Sequence, residues 1–398
     1  MTTWPTVTLG EVAHFVRGVT FKPSDVGVGA ETVPVMRTKN VQALLDQDDV
    51  IRIPKRLVRR PDQFLRVGDT LISSANSWNL VGKCCWVPDL SEQTAIGGFV
   101  VSLRPNPKLV YPRFLYHWFA SPRIQAEVRG MANSTTNISN LSIGRCEGLP
   151  LHLPPIEEQR RIAAILDHAD GLVAKSQAGR AMLRSLPTSV FNEIPDLSAA
   201  PLVPLSELCR SPDDIKCGPF GTQLNRSEFR DHGVPLWGIK QVNKGFSIAT
   251  REFVSHETAT RLASYGIDPG DIVMTRKGTV GNCAVYPKGW PPGIMHSDLL
   301  RIRLDGLRAL PEFLSHQLHH SQEVAGQLAK QNSGAVMPGL NVTRLKSLEV
   351  RVPSLAVQRT FVGELNAIHA LASVWEERGR VLVAAVNTLQ ARAFSGRL

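Results

Sequence analysis

Three histidines near residue 320 form the chain's densest group of potential metal ligands. His316, His319 and His320 follow the i, i+3, i+4 spacing that places side chains on one face of a helix. Imidazoles at this spacing can bind a transition metal, but no carboxylate or thiolate within the motif completes a ligand set. We interpret the group as a solvated or interface face of a helix and expect no metal in this chain.

The motifs of several nucleotide-using enzymes are missing from the sequence. There is no G-x-x-x-x-G-K-[ST] phosphate loop and no glycine-rich turn of the dinucleotide type. Pro154-Pro155 and Pro291-Pro292 lack the preceding Asn or Asp and the following aromatic residue of an amino-methyltransferase. Neither Pro61-Asp62 nor Pro88-Asp89 is followed by the acid-x-Lys of a nuclease site. We therefore expect a chain without catalysis of its own.

Clusters of Arg, Lys, Asn, Gln, Ser and Thr recur in both halves of the chain, and these residue types contact DNA. Lys, Arg, Ser and Thr bind phosphates, whereas Arg, Lys, Asn and Gln also read base edges in the major groove. The DNA-binding candidates in the first half are Arg37, Lys39, Asn40, Ser73, Ser74, Asn76, Ser77, Trp78, Asn133, Thr135 and Thr136. The candidates in the second half are Lys216, Phe220, Thr222, Gln223, Lys240, Gln241, Asn243, Lys244, Arg276, Lys277, Thr279, Lys330, Asn332 and Ser333. A polar cluster alone is often only a turn, but these occupy corresponding positions in the two halves, with residues 73–79 and 275–279 the strongest pair.

The chain contains an internal repeat of half its own length. The motif that begins Leu153-Pro154 has its counterpart at Val352-Pro353, a displacement of 199 residues that Asn133-Ser134 and Asn332-Ser333 also keep. Solenoid repeats are much shorter, roughly 20 to 50 residues. Each copy has the size of a domain. We expect two similar domains about a pseudo-two-fold axis, an arrangement that suits duplex DNA.

Short apolar runs bounded by Gly, Pro, Asn and Asp predict strands in each copy. In the first copy they cover residues 33–37, 68–73 and 98–103. A proline in the first turn predicts helices over residues 112–120 and 311–318. The expected fold class is α+β: two pseudo-repeated mixed α/β globular domains separated by two long helices that pack as an antiparallel coiled coil.

Apolar residues spaced alternately by three and four follow each repeat motif, which is typical of an amphipathic helix. A helix over residues 156–190 extends about 50 Å at 1.5 Å per residue, roughly one and a half turns of B-DNA. The predicted seam residues are Ile162, Ile165, Leu172, Leu183, Leu186, Phe361, Leu365, Ile368, Trp375, Leu382 and Leu389. We favour packing of the two helices on each other, and the alternative is that each helix covers its own domain.

The composition is that of a globular protein that can bury two cores. Of its 398 residues 43% are apolar and 20% are charged. No apolar run approaches the roughly 18 residues of a membrane span, and the first residues lack a signal-peptide pattern. We therefore expect a cytoplasmic protein that does not associate with a membrane. The net charge is +10, and most of the excess lies in the two copies. That charge indicates a polyanionic partner or an ordinary basic surface.

The order of these features resembles the specificity (S) subunit of type I restriction-modification systems over the whole chain. The most specific piece is LPPIEEQRRIAAILD at residues 153–167, and residues 215–224 resemble the start of many target recognition domains. The resemblance implies that each globular half reads one half of a bipartite site in double-stranded DNA. It also implies that the helices set the spacer and dock two adenine methyltransferase subunits, to which restriction subunits can be added.

Further implications of the resemblance concern cofactors and docking. S-adenosylmethionine, ATP and Mg are expected in the partner subunits, with no cofactor in this chain. The docking candidates are Pro154, Pro155, Gln159, Arg160, Pro353, Gln358 and Arg359. The second motif departs from the first, because Ser354-Leu355 stands where the first has Pro155-Ile156.

The sequence thus predicts four segments and one function. They are a first target recognition domain over residues 1–155, a central spacer helix over 156–195, a linker and second target recognition domain over 196–353, and a C-terminal spacer helix over 354–398. The function is DNA recognition and scaffolding. Two alternatives stay open: a solitary DNA-binding regulator or decoy without a methyltransferase partner, and a nuclease whose active site the sequence does not reveal.

Overall fold

A computed structural model of the chain describes residues 4–135, 138–278, 280–332 and 340–398. The chain divides into two compact units. Unit 1 comprises Met1–Gly179 and Trp375–Leu398, and unit 2 comprises Arg180–Val374. Within the described residues, no helix is both long and apolar enough to cross a bilayer.

Unit 1 mixes short strands with short helices. The strands are Thr6–Thr8, Ala13–Arg17, Thr32–Met36, Ile51–Pro54, Thr70–Ser73, Ala75–Asn76, Cys84–Trp86, Ala95–Ile96, Val100–Pro105, Asn133–Ser134, Ser139–Asn140 and Pro150–His152. The short α-helices are Leu9–Val12, Pro112–Ala120, Pro122–Gly130 and Ile143–Glu147. The helix that begins at Pro112 and the three predicted strands are confirmed, with ends shifted by a few residues.

The central sheet of unit 1 has four antiparallel strands in the order Ala13–Arg17, Val100–Pro105, Thr70–Ser73 and Cys84–Trp86. Its inner strands are almost entirely buried because both faces are covered. Ile72, Val101 and Leu103 belong to one core with the Pro112–Ala120 helix, whereas Leu71 and Val100 belong to another. A second sheet has the order Ile51–Pro54, Thr32–Met36, Ala95–Ile96, and its last pair is parallel.

Unit 2 repeats this organisation. Its strands are Leu202–Pro204, Ile215–Cys217, Val234–Trp237, Phe253–Val254, Gly266–Ile267, Ile272–Thr275, Cys283–Val285, Gly293–Met295, Leu299–Ile302 and Glu349–Arg351. Its short α-helices are Ile239–Val242, His256–Arg261, Pro311–His320, Gln322–Asn332 and Val342–Lys346. The four-stranded antiparallel sheet has the order Ile215–Cys217, Leu299–Ile302, Ile272–Thr275 and Cys283–Val285, which matches the central sheet of unit 1 strand for strand.

A buried ion pair explains the Gly-Asp pair that both copies contain. In unit 1, Nη2 of Arg104 donates to Oδ2 of Asp69 over 2.6 Å, and in unit 2 Nη2 of Arg303 donates to Oδ2 of Asp271 over 2.6 Å. Each aspartate is almost fully buried and follows a glycine with φ of +91° or +96°, a conformation that favours glycine. The pair is therefore a structural element that both copies share.

Two long helices, Ile156–Asn192 and Leu355–Ala393, each contribute to both units. We call them the first and second long helix. Within unit 1 they run antiparallel, because Ile162 and Leu166 share a core with Ala393, whereas the Gly179 backbone lies against the Trp375 ring. Within unit 2 the rings of Phe191 and Phe361 lie 5.5 Å apart, centroid to centroid. Packing of the two helices on each other is thus observed in each unit.

The predicted seam is wrong at two positions of the first long helix, Leu172 and Leu186. Leu172 and Leu186 are 42% and 39% exposed, whereas Leu166 and Ala169 are buried. The physical reason is that an α-helix has 3.6 residues per turn, so its buried stripe drifts from a strict heptad by about 20° per repeat. Ile162, Phe361, Leu365 and Ile368 are buried as predicted, and the remaining seam residues, Ile165, Leu183, Trp375, Leu382 and Leu389, are half-buried.

Candidate nucleic-acid interface

Backbone hydrogen bonds bring three of the candidate clusters of unit 1 to one end of its sheets. The Gly97 amide donates to the Met36 carbonyl over 2.9 Å, which places residues 37–40 beside the turn at residues 97–99. The Ser74 amide donates to the Phe99 carbonyl over 2.9 Å, and the Leu141 amide donates to the Ser74 carbonyl over 2.8 Å. Clusters far apart in sequence therefore form one surface.

A small polar sheet lies on this surface. Ser139–Asn140 pairs on one side with Ala75–Asn76 and on the other with Asn133–Ser134. Asn133 and Thr135 are exposed, as are Ser77 and Trp78 in the following loop, whereas Ser74 and Asn76 are half-buried. Amide and hydroxyl groups of this kind can reach phosphates or base edges. Thr136 lies outside the described residues.

Two predicted DNA contacts of unit 1 are wrong because their side chains are buried. The Asn40 side chain donates from Nδ2 to the carbonyls of Asp46 and Asp49, each over 3.0 Å, and so holds its own loop together. Ser73 lies in a buried strand, where its hydroxyl accepts from Nδ2 of Asn76 over 3.1 Å. Arg37 and Lys39 are more accessible, and both pair with the exposed Asp49 carboxylate.

The sequence interpretation missed two exposed apolar side chains of the same surface. Phe99 is 69% exposed and Ile138 is 51% exposed, as Trp78 also is at 56%. Phe99 falls in a segment that the sequence analysis interpreted as a strand. The preceding Gly97-Gly98 is the only local sequence feature that indicates a turn at this point. Apolar side chains on such a surface can contact the thymine methyl group.

The same backbone pattern brings three clusters of unit 2 together around residues 296–298. The His296 amide donates to the Trp237 carbonyl over 2.8 Å, and the Arg276 amide donates to the Asp298 carbonyl over 2.9 Å. The Gly218 amide donates to the Leu299 carbonyl over 3.0 Å. Residues 216–223, 238–244 and 275–278 consequently meet at one end of the unit 2 sheets. The last two of these clusters correspond to residues 37–40 and 73–79 of unit 1.

Charged groups dominate the unit 2 surface. The Arg276 guanidinium lies over the Phe220 ring, 4.7 Å from its centroid, and Nζ of Lys216 lies 5.2 Å from the Tyr265 centroid. The Asp298 carboxylate is 2.9 Å from Nζ of Lys277. His296 and Asp298 were missed from the sequence, since they sit in an ordinary-looking loop between two strands.

Other candidates of unit 2 have mixed positions. Gln241 is wrong as a DNA contact, because it is buried and its Oε1 accepts from the Gly238 amide over 3.2 Å. Oδ1 of Asn243 accepts from Asn282 over 2.6 Å. Exposed candidates are Thr222, Gln223, Lys240, Lys244 and Lys330. Thr279 and Ser333 lie outside the described residues, as does the side chain of Asn332, whose backbone ends the Gln322–Asn332 helix.

Two docking candidates are also wrong, for the same physical reason. Gln159 and Gln358 are 1% and 0% exposed, so neither side chain can contact a partner subunit. Oε1 of Gln159 accepts from the Tyr111 amide over 2.7 Å, and Oε1 of Gln358 accepts from the Leu310 amide over 2.8 Å. Each glutamine thus ties the start of a long helix to the residue before a short helix. Among the other docking candidates, Pro155, Arg160 and Arg359 are exposed, Pro353 is half-buried and Pro154 is buried.

The histidine group is partly buried. His316 packs between Phe191 and Phe361, with ring centroids 5.1 Å and 5.0 Å away, whereas His319 and His320 are exposed. Of the two alternatives, a solvated or an interface face, His316 thus fits the interface and the other two histidines fit the solvated face. Burial, with some repulsion from His319, His320 and His369, lowers the pKa of His316 to about 4. The described residues include no group of His, Cys, Asp and Glu side chains arranged to hold a metal.

The counterpart of His316 in unit 1 has a different environment. Nε2 of His117 lies 2.8 Å from Oδ1 of Asp167, which also accepts from Nε of Arg113 over 2.5 Å. Burial lowers the pKa of His117, and the hydrogen bond to Asp167 opposes that shift. The displacement of 199 residues places Asn366 and Glu312 in unit 2 where unit 1 has Asp167 and Arg113.

Burial raises the pKa of every cysteine thiol in the chain. All six are free. Burial raises the pKa of Cys85 and Cys209 to about 12 and that of Cys146 and Cys283 to about 11, so these thiols remain protonated at neutral pH.

Comparison with known protein families identifies the family of this chain. The family model described as the type I restriction modification DNA specificity domain matches residues 1–179 and again residues 206–371. The chain belongs to this family. The resemblance predicted from the sequence is confirmed, and recognition of DNA sequence as the specificity subunit of a type I restriction-modification system follows as its function.

Relatives in this specificity family align over nearly the whole chain. The type I restriction enzyme EcoKI specificity subunit of Escherichia coli (strain K12) is 24% identical, and the alignment covers 99% of this chain and 89% of the relative. The type I restriction enzyme StySPI specificity subunit of Salmonella potsdam is 22% identical with the same coverage of 99% and 89%.

Solved structures of the family share the fold. A chain determined in work on complex assembly and conformational transition of the type I R-M system superposes with a TM-score of 0.65, at 16% identity, over 100% of this chain and 99% of that chain. The type I restriction-modification S subunit from M. genitalium gives a TM-score of 0.54 at 15% identity over 98% of this chain and 96% of its own. The α+β fold class is thus confirmed.

Proposed function

We propose that each unit reads one half of a bipartite site in duplex DNA, and that the two long helices set the number of unread base pairs between the halves. The helices would also dock two adenine methyltransferase subunits, to which restriction subunits can be added. In this proposal the chain catalyses nothing. Base flipping and methyl transfer occur in the partner, which binds S-adenosylmethionine, while ATP and Mg are used by restriction subunits.

One observation carries this proposal: the two units have the same backbone at the candidate surface but different side chains. The amide of Ser74 in unit 1 and that of Arg276 in unit 2 donate to corresponding carbonyls, those of Phe99 and Asp298. At the first position unit 1 has the hydroxyl of Ser74 where unit 2 has the guanidinium of Arg276. At the second, unit 1 has the phenyl ring of Phe99 where unit 2 has the carboxylate of Asp298, although the backbone hydrogen bond is the same. Equal frames with unequal base-reading groups suit two readers of different half-sites.

The docking part of the proposal rests on the exposed residues that remain near the starts of the long helices. Pro155 and Arg160 are exposed at the first long helix, and Arg359 is exposed at the second. The Arg160 guanidinium lies 5.2 Å from the Tyr111 centroid, which holds it against unit 1. Arginines held on aromatic rings are common at protein interfaces.

The test is co-expression of the full chain with a methyltransferase subunit of a type I system from the same genome, followed by single-molecule sequencing of methylated adenines. We expect a stable complex and methylation within a two-part motif that has a fixed gap. DNA binding by the chain without any complex or methylated motif would instead support a solitary regulator. Metal-dependent cleavage of DNA by the purified chain alone would support a nuclease.

A further inference from the structure

An arginine stacked on an exposed aromatic ring distinguishes the unit 2 surface. Phe220 is 50% exposed, although a phenyl ring gains little by lying in water. The Arg276 guanidinium covers it at 4.7 Å from the ring centroid. The backbone of Arg276 is fixed as well, because its amide donates to the Asp298 carbonyl over 2.9 Å. Stacking therefore fixes the plane of a guanidinium whose base is anchored to the sheet.

Two donors of this guanidinium lack an oxygen or nitrogen acceptor among the residues that the structure describes. They are Nε and Nη1 of Arg276, and both are shielded from water. The nearby Asp298 carboxylate faces Lys277 at 2.9 Å and His296 at 3.3 Å. The Cys217 thiol interacts with the Arg276 side chain, but burial outweighs that interaction and raises the pKa of the thiol, and a neutral thiol is a weak acceptor.

Unpaired, shielded donors are costly for a folded protein and call for an acceptor that is absent from the free chain. Because no carboxylate or carbonyl of the described residues occupies Nε and Nη1, these donors remain available to an acceptor that reaches the surface. A planar guanidinium presents two parallel N–H groups, which match the O6 and N7 atoms of guanine in the major groove. A phosphate needs no fixed plane, and the 66% exposed side chain of Lys277 is placed to supply that charge.

We propose that Arg276, positioned by Phe220, reads a guanine in the half of the DNA site that unit 2 binds. This inference rests on the proposed function. The corresponding positions of unit 1 are Ser74 and Thr20, which have no guanidinium and no aromatic ring. The guanine requirement set by this pair therefore belongs to one half of the site only.

The experiment uses the full chain in complex with its methyltransferase subunits and a library of randomised duplex DNA. Sequencing of the bound fraction gives the preferred motif. Duplexes that carry each of the four bases at the proposed guanine position then give relative affinities. Arg276→Lys keeps the charge but loses the planar fork, and Phe220→Leu removes the ring on which the fork lies. Arg308→Lys is the matched control, since Arg308 follows the opposite end of the Leu299–Ile302 strand.

For the wild-type complex we expect a guanine preference of about 10-fold or more at one position. Arg276→Lys should reduce this preference to about 2-fold or less, and Phe220→Leu should reduce it in part, while the control keeps it. Preferences in the other half-site should stay unchanged in every variant, which also shows that the variants fold.

Two results would overturn this inference without overturning the proposed function. The first is a selected motif whose guanine preference survives Arg276→Lys. The second is an equal loss of affinity for every DNA sequence in a further variant, Arg276→Ala, together with a weaker salt dependence of DNA binding. The second result would identify a phosphate contact. A wild-type complex that selects no sequence would overturn the proposed function together with this inference.

Discussion

At the scale of single residues, buried polar side chains account for much of what the two copies share and for where they differ. The ion pair of Asp69 with Arg104 has its counterpart in that of Asp271 with Arg303. Likewise, Gln159 and Gln358 each accept from a backbone amide just before a short helix. His117 and His316 share a position but not an environment. His117 faces the Asp167 carboxylate, whereas His316 lies among aromatic rings. We therefore expect the copies to respond differently to acid.

The His316 imidazole should make unit 2 sensitive to pH. Burial lowers its pKa from 6.5 to about 4, so the folded chain holds it neutral while the unfolded chain binds a proton below about pH 6.5. Its contribution is thus complete above that pH and is lost as the pH falls toward 4. Urea unfolding should show a loss of about 1 to 2 kcal/mol between pH 8 and pH 5 that His316→Phe removes.

His232→Gln, at an exposed site of the same unit, provides the control for this measurement. It should leave the pH dependence as in the wild type. An identical pH dependence in His316→Phe and the wild type would show that the buried imidazole is not responsible.

The residue scale is also where sequence-based prediction failed most often. Asn40, Gln241, Gln159 and Gln358 are residue types that bind DNA or partners, and each is instead buried against backbone groups. The acceptors and donors they meet include groups up to about fifty residues away, and no local pattern encodes such contacts. The presence of glutamine at both repeat positions, 159 and 358, indicated that the residue matters. It did not indicate whether the role is structural or partner binding.

At the scale of elements, the close approach of the two long helices depends on a glycine. A Cβ atom at Gly179 would lie 2.4 Å from Cζ3 of Trp375, so the indole ring occupies the space that any side chain there would need. Gly171, two turns earlier in the same helix, has nothing within 4 Å of such an atom. The two glycines thus form a matched pair for testing the packing.

Gly179→Ala and Gly171→Ala should have opposite effects on the free energy of unfolding. Alanine is the better helix former, so Gly171→Ala should stabilise the chain by about 0.5 to 1 kcal/mol. Gly179→Ala must displace the Trp375 ring and should destabilise it by about 1 to 3 kcal/mol, less the same helix gain. Thermal unfolding measures both. In a Trp375→Leu background the cost at Gly179 should disappear, and stabilisation by Gly179→Ala in the wild-type background would contradict the packing.

Elements were more predictable than residues because their signals are local. A proline in the first turn marked the helices that begin at Pro112 and Pro311, and the start of the first long helix at Ile156 follows the Pro-Pro motif. The seam was less predictable. The helical period correctly predicted burial of Ile162. Continued as a strict heptad, it also predicted burial of Leu172 and Leu186, which are exposed.

At the scale of the whole molecule, the chain uses one frame twice. The family model matches both halves, and two of the backbone hydrogen bonds that bring polar clusters together in unit 1 have counterparts in unit 2. Unit 1 presents Asn133, Phe99 and Trp78 at this surface, whereas unit 2 presents Arg276 and Lys277. If each surface reads its own bases, the two halves of the DNA site are separable properties of the two units.

The most direct test of this claim is a methylated-adenine map of cells that express the chain with its methyltransferase, before and after exchange of residues 1–150 for those of another family member. One half of the bipartite motif should change while the other half and the gap stay the same. A change in both halves, or in neither, would contradict reading of one half-site by each unit.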